Sequence, residues 1–85
     1  MNGAMLLQHA AGVVERRRAD YGEPEDLFAN IATRWSQVLR IRVTAAQVAL
    51  CLMDLKMARL AHDPRHFDSL VDVLGYGACL REITK

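Results

Sequence analysis

The chain has 85 residues, a formal net charge of +1, 52% hydrophobic residues and 25% charged residues. That length allows one domain with a thin core, so a single domain over residues 1–85 that associates with itself is expected. The near-neutral balance points to no nucleic acid or other charged partner, and no run of 18 apolar residues is present to cross a membrane.

Four helices and no strands are predicted. The first runs from Met5 to about Asp20, where Leu6, Ala10, Val13, Val14 and Arg17 follow the three-four spacing of an amphipathic helix. Arg16, Arg17 and Arg18 span about 200° of that helix, so they do not share one face and are expected to face solvent. Gly22 can accept a left-handed cap, and Pro24 suits the first turn of the next helix. The second helix runs from about Glu25 to Leu39 or Arg40, with a stripe of Leu27, Phe28, Ile31, Trp35, Val38 and Leu39.

Thr44 and Gln47 have capping-box spacing ahead of a third helix, from about Ala45 to Ala61. Apolar residues cover nearly all its sides, which marks a central helix or one buried between subunits; a homodimer is expected. Lys56 and Arg59 lie about 60° apart on it, while Asp54 falls about 160° from Lys56. In the polar break that follows, Asp63 before Pro64 either caps a helix starting there or belongs to a looser loop to His66. The fourth helix then runs to about Ile83. On it Asp68, Asp72, Gly75, Tyr76 and Cys79 fall within roughly 100°. Gly75 is read as permitting close helix approach or leaving room for a ligand.

Asp68 and Asp72 stand four apart on one face of an apolar helix, so they repel and call for cations. Lys56 and Arg59 are the candidates. Two readings follow: a buried ion network, or half of a site for a metal-bound phosphate, in which Lys56 and Arg59 grip the phosphates. Tyr21 and Tyr76 are either packing residues or rings that stack on a base. Cys51 and Cys79 lack any metal or disulfide spacing and are read as reduced, in a cytoplasmic protein. The start at Met1 has no basic region leading a long apolar run, so no signal peptide is expected. No recognition helix rich in Arg, Asn or Gln faces outward, so no sequence-specific nucleic-acid binding is expected.

The order Arg18…Tyr21-Gly22…Phe28…Ile31-Ala32…Trp35, then Thr44…Val48, Lys56-Met57-Ala58-Arg59 and Asp68…Asp72…Gly75-Tyr76, resembles a family of small phage-encoded proteins of unknown function. That family is distantly similar to the all-α nucleoside triphosphate pyrophosphohydrolases called MazG-like. The resemblance implies a four-helix, MazG-like bundle, commonly dimeric, that hydrolyses a nucleotide to a monophosphate and pyrophosphate with Mg²⁺. MazG-like proteins hold magnesium with a Glu-x-x-Glu pair on one helix and a Glu-x-x-Asp pair on another. Here Asp72-Val73-Leu74-Gly75-Tyr76 resembles the segment after the last metal-binding Asp, so Asp72, helped by Asp68, would hold the metal. Asp68 would also be the group to activate water, with Lys56 and Arg59 on the phosphates and Tyr21 or Tyr76 on the base. The chain departs from the pattern where the first acidic pair would stand, because Lys56 and Arg59 occupy that stretch. The competing expectation is a non-catalytic phage structural or protein-interaction module whose polar residues lock the bundle.

Overall fold

A computed structural model describes all 85 residues and contains four α-helices: α1 (Gly3–Tyr21), α2 (Pro24–Leu39), α3 (Ala45–His62) and α4 (Phe67–Thr84). The fold is all-α, and each helix lies within two residues of its expected bounds, apart from the start of α4. The ends follow local chemistry. Asn2 caps α1 by accepting from the Met5 amide. Gly22 ends that helix at φ 84°, a positive angle that suits a residue without Cβ. Pro24 opens α2 with Glu25 and Asp26 in its first turn, where the helix dipole favours negative charge.

Both bonds of the expected capping box form at α3. The Thr44 hydroxyl accepts from the Gln47 amide at 3.1 Å, and the Thr44 amide donates to Gln47 Oε1 at 2.9 Å. Between α3 and α4 the looser loop prevails. Asp63 accepts from the Arg65 amide in a turn, and the α4 cap is His66, whose Nδ1 lies 2.8 Å from Ser69 Oγ. Ser36 ties the α2–α3 connection: its hydroxyl oxygen accepts from the Val43 amide at 2.8 Å.

The centre of the core is Phe28 and Ala32 of α2 against Val48 and Ala49 of α3, the last two with no exposed surface. Small side chains at positions 32, 48 and 49 let the helices approach around the Phe28 ring. Leu27, Ile31, Trp35, Leu52, Tyr76, Cys79, Leu80 and Ile83 close over it. The Phe28 and Tyr76 rings meet edge to face, 6.5 Å between centroids. α4 packs against all three other helices, most extensively α3, whereas α1 packs chiefly on α4 through Ala10 and its neighbours. α1 and α2 therefore diverge from the Gly22 corner and leave a cleft between them.

The molecule is spread out for its size, with principal extents of 42 × 30 × 21 Å and a radius of gyration of 13.6 Å. A globular chain of this length has a radius near 12 Å, to within about an ångström. The Trp35 stripe of α2 is buried only as far as that ring. Val38 and Leu39 beyond it are 79% and 57% exposed, as is Ile41 at 65%. No helix is long and apolar enough to cross a membrane.

Candidate functional site

The divergence of α1 and α2 places a cleft of about 410 Å³ over α4. Its apolar wall comes from Val14, Leu27, Phe28, Ile31 and Leu52, and its polar groups are Glu15, Arg17, Arg18, Asp72 and Glu82. Tyr21 and Tyr76 both line it. Tyr21 is 67% exposed at the corner after α1, while the ring of Tyr76 is packed on the core.

Asp72 is the electrostatic centre. Its two carboxylate oxygens are taken by different cations: Arg17 Nη2 donates to Oδ1 at 3.0 Å, and Lys56 Nζ to Oδ2 at 3.0 Å. The Lys56 and Asp72 side chains are each 14% exposed, and Arg17 is 45% exposed. Burial pushes the Asp72 carboxyl up. The hydrogen bonds from Lys56 and Arg17, with their positive charges, outweigh that and hold it below the usual carboxylate range. One acidic side chain of α4 thus ties α3 and α1 to the helix between them.

The expected ion network is correct in one half and corrected in the other. Lys56 pairs with Asp72 as anticipated, but the second cation is Arg17, not Arg59. Arg59 and Asp68 form no ion pair; Asp68 is exposed in the first turn of α4 and lies outside the cleft. Arg59 lines a separate, shallow pocket with Leu55, Ala58, His62, Asp63 and His66. The spacing carried a signal for Arg17. It is the one charged residue on the stripe that α1 turns towards α4, in line with Ala10 and Val14.

Of the other cleft charges, all but Glu15 are also engaged. Arg18 grips Glu23 with both Nε and Nη2, each at 3.0 Å, and this fork braces the α1–α2 corner. Glu82 pairs with Lys85. Each lining cation is thus already held by a carboxylate of this chain. No group of three or more His, Cys, Asp or Glu side chains is positioned to share a metal ion. Magnesium at Asp72 would compete with two resident cations for both oxygens, and the carboxylate four residues away stands outside the cleft. Cys79 lines the cleft as a thiol whose pKa burial raises, the opposite of an activated nucleophile.

Residues 5–84 match a family described as a domain of unknown function, DUF6378. The chain is 32% identical over 80 residues to the Gene 55 protein of Mycobacterium phage L5, covering 92% of this chain and 51% of that protein. It is 30% identical over 79 residues to the Gene 55 protein of Mycobacterium phage D29, covering 92% of this chain and 52% of that one. The chain spans about half the length of the curated relatives it matches. No solved structure matches it.

Proposed function

Given that the chain belongs to the DUF6378 family, with relatives in phages, we propose that it is a non-catalytic helical interaction module. The observation that carries this reading is the double engagement of Asp72. The carboxylate best placed for chemistry is spent on Arg17 and Lys56, where it fastens three helices. Chemistry needs a group free to bind or move a proton, and a locked carboxylate held ionised by two cations is arranged for stability instead. The apolar surface has the complementary distribution. Leu50, Leu55 and Met57 of α3 face solvent and not the core. Met5 and Leu7 of α1 and Val38 and Leu39 of α2 do so too, and exposed apolar surface on this scale is the usual mark of a protein contact.

A second reading, a divergent nucleotide-binding or pyrophosphohydrolase-like role on a MazG-like fold, draws on one observation. Asp72, Tyr21 and Tyr76 line a single cleft of a size that accepts a small ligand. In that reading Arg17 or Lys56 would leave Asp72 to meet a phosphate, and a ring would stack on the base.

The two are separated by screening nucleoside triphosphates for magnesium-dependent pyrophosphate release, with Asp72→Asn in parallel and thermal shift as a binding readout. The interaction module releases no pyrophosphate and gains no thermal stability from any nucleotide. Release that disappears in Asp72→Asn overturns the proposal in favour of the enzyme.

A further inference from the structure

We infer that the end of α2 is the docking surface of the module and that it takes an acidic amphipathic protein segment, one that presents carboxylates beside aliphatic side chains. This rests on the interaction-module reading and names its surface and its partner.

The first observation is apolar surface held out from the bundle. Trp35 is the last residue of the α2 stripe to meet the core, and the helix runs about one further turn. Every residue from Gln37 to Arg42 is exposed. Val38, at 79%, is the most exposed of the large apolar residues, and Leu39 and Ile41 lie within three residues of it. Arg40 turns the chain in the left-handed conformation, and the Ser36 hydroxyl holds the Val43 amide at the base of the turn. The knuckle is thus fixed before any partner arrives, which lowers the ordering cost of binding.

The second is charge. Arg34, Arg40 and Arg42 are exposed in and around this knuckle, and none has an ion partner in the chain. Arg34 lies one turn below Val38 on the same face of α2. No carboxylate side chain occurs between Asp26 and Asp54. At the adjoining end of α4, whose Leu80 and Ile83 pack on the same core as Val43, the carboxylate is Glu82, and Lys85 holds it. The carbonyl end of α2 adds only about half a negative charge against the three positive ones. The chain is near neutral overall, so this is a local excess of positive charge beside aliphatic surface. Leu50, Leu55 and Met57 of α3, by contrast, share their helix with Asp54 as well as Arg59.

The third separates the classes of partner. The amides of Arg40, Ile41 and Arg42 donate to no other group of the chain; the next amide, of Val43, is the one that Ser36 accepts. Free backbone donors are costly in lipid hydrocarbon, so the tip is ill suited to a bilayer. The phosphates of a nucleic acid would meet the arginines but give the aliphatic side chains nothing. A base would find no free ring to stack on, because Trp35 is packed on the core. A protein segment meets all three needs. It offers carboxylates to the guanidinium groups, oxygens to the amides, and aliphatic side chains to Val38, Leu39 and Ile41.

The test is fluorescence anisotropy with three labelled peptides of about four helical turns, identical in their leucines and carrying Glu, Gln or Lys beside them. The Glu peptide is expected to bind at least about tenfold more tightly than the Gln peptide, as two or three exposed ion pairs allow, and the Lys peptide not to bind. The preference shrinks as salt is raised. The paired exchange Arg34→Gln with Arg42→Gln removes it while circular dichroism is unchanged. Val38→Ser with Ile41→Ser weakens the Glu and Gln peptides alike, by about tenfold. Leu50→Ser, on the exposed side of α3, changes neither. Equal binding of the Glu and Gln peptides, or a preference that survives the arginine exchange, overturns the inference. So does binding that is lost with Leu50→Ser but kept with Val38→Ser and Ile41→Ser. Phosphatidylglycerol vesicles that bind through Val38 and Ile41 when the Glu peptide does not make the partner a membrane, and self-association that the same two serines abolish makes it a second copy; either result overturns the inference. If no peptide binds and no pyrophosphate is released, this docking surface falls while the interaction reading stands. Pyrophosphate release that needs Asp72 removes the interaction reading itself.

Discussion

Replacing Asp72 by Asn removes the charge that Lys56 and Arg17 share while keeping the size of the side chain. The two lost contacts are unequal. The Arg17 guanidinium is nearly half exposed, so solvent screens that pair and its contribution is below about 1 kcal/mol. The Lys56 pair is largely shielded, and a hydrogen bond between charged partners there is worth about 1.5–3 kcal/mol. Asp72→Asn is therefore expected to destabilise by about 2–3 kcal/mol. A chain of this length has a total stability of roughly 4–13 kcal/mol. With an unfolding entropy near 180 cal/mol/K for this size, the melting temperature falls by about 11–17 °C. Urea denaturation at several pH values measures the loss. The folded-state pKa of Asp72 is lowered, so its contribution is fully present above the unfolded carboxylate value and is lost as pH falls through the folded one. The gap between wild type and Asp72→Asn should be widest near neutral pH and should close in acid below the folded value. A Lys56→Met cycle with Asp72→Asn should show coupling above about 1 kcal/mol. A loss under about 0.5 kcal/mol at pH 7, or a gap that persists unchanged through acid, would refute the lock.

Three substitutions test other features of the chain. A Cβ at Gly75 would meet Arg17 Nη1 at 3.7 Å, an ordinary contact, so Gly75→Ala is expected to stabilise by about 0.5–1 kcal/mol through helix propensity, read from the urea midpoint. Arg40 ends α2 in the left-handed conformation at φ 57°, which glycine adopts without a Cβ clash; Arg40→Gly should raise stability by up to about 1 kcal/mol in the same assay. Thr44→Ala removes one arm of the α3 capping box and should cost about 1 kcal/mol. In thiol titration at pH 8, Cys51 should react quickly and Cys79 slowly, because Cys51 is exposed while burial raises the Cys79 pKa.

The helices were legible because their ends carry strong local signals. Thr44 with Gln47, and Gly22 followed by Pro24, act through neighbours within a few residues. The start of α4 was ambiguous because Asp63 and His66 can both accept an amide, and the winner depends on where Ser69 is buried against the bundle. Of the two readings of Gly75, close helix approach does not hold, while room for a ligand is compatible with its place in the lining of the cleft. A glycine in an apolar helix looks the same in sequence whether a backbone presses on it or, as here, only the tip of an arginine comes near. The α2 stripe overran the core in the same way: periodicity reports which side of a helix is apolar, but not how far its neighbours extend.

Legibility of the candidate site divides between what one helix determines and what two helices share. That Asp72 needed a cation followed from its place on an apolar face, and Lys56 was within reach of any packing of α3 on α4. The choice of Arg17 over Arg59 required knowing that α1 also lies on α4, on the side that Asp72 faces. Arg16, Arg17 and Arg18 seem interchangeable as a run, yet about 100° per residue separates their fates: Arg17 reaches Asp72 and Arg18 reaches Glu23 at the corner. With those two committed, the cleft has no cation to spare for a phosphate. The cations left over, Arg59 among them, lie on other surfaces. Charge placement thus works with apolar placement in this fold. Inside, the paired cations hold helices together, while α3 carries Asp54 and Arg59, without ion partners in the chain, on the solvent side with Leu50 and Leu55.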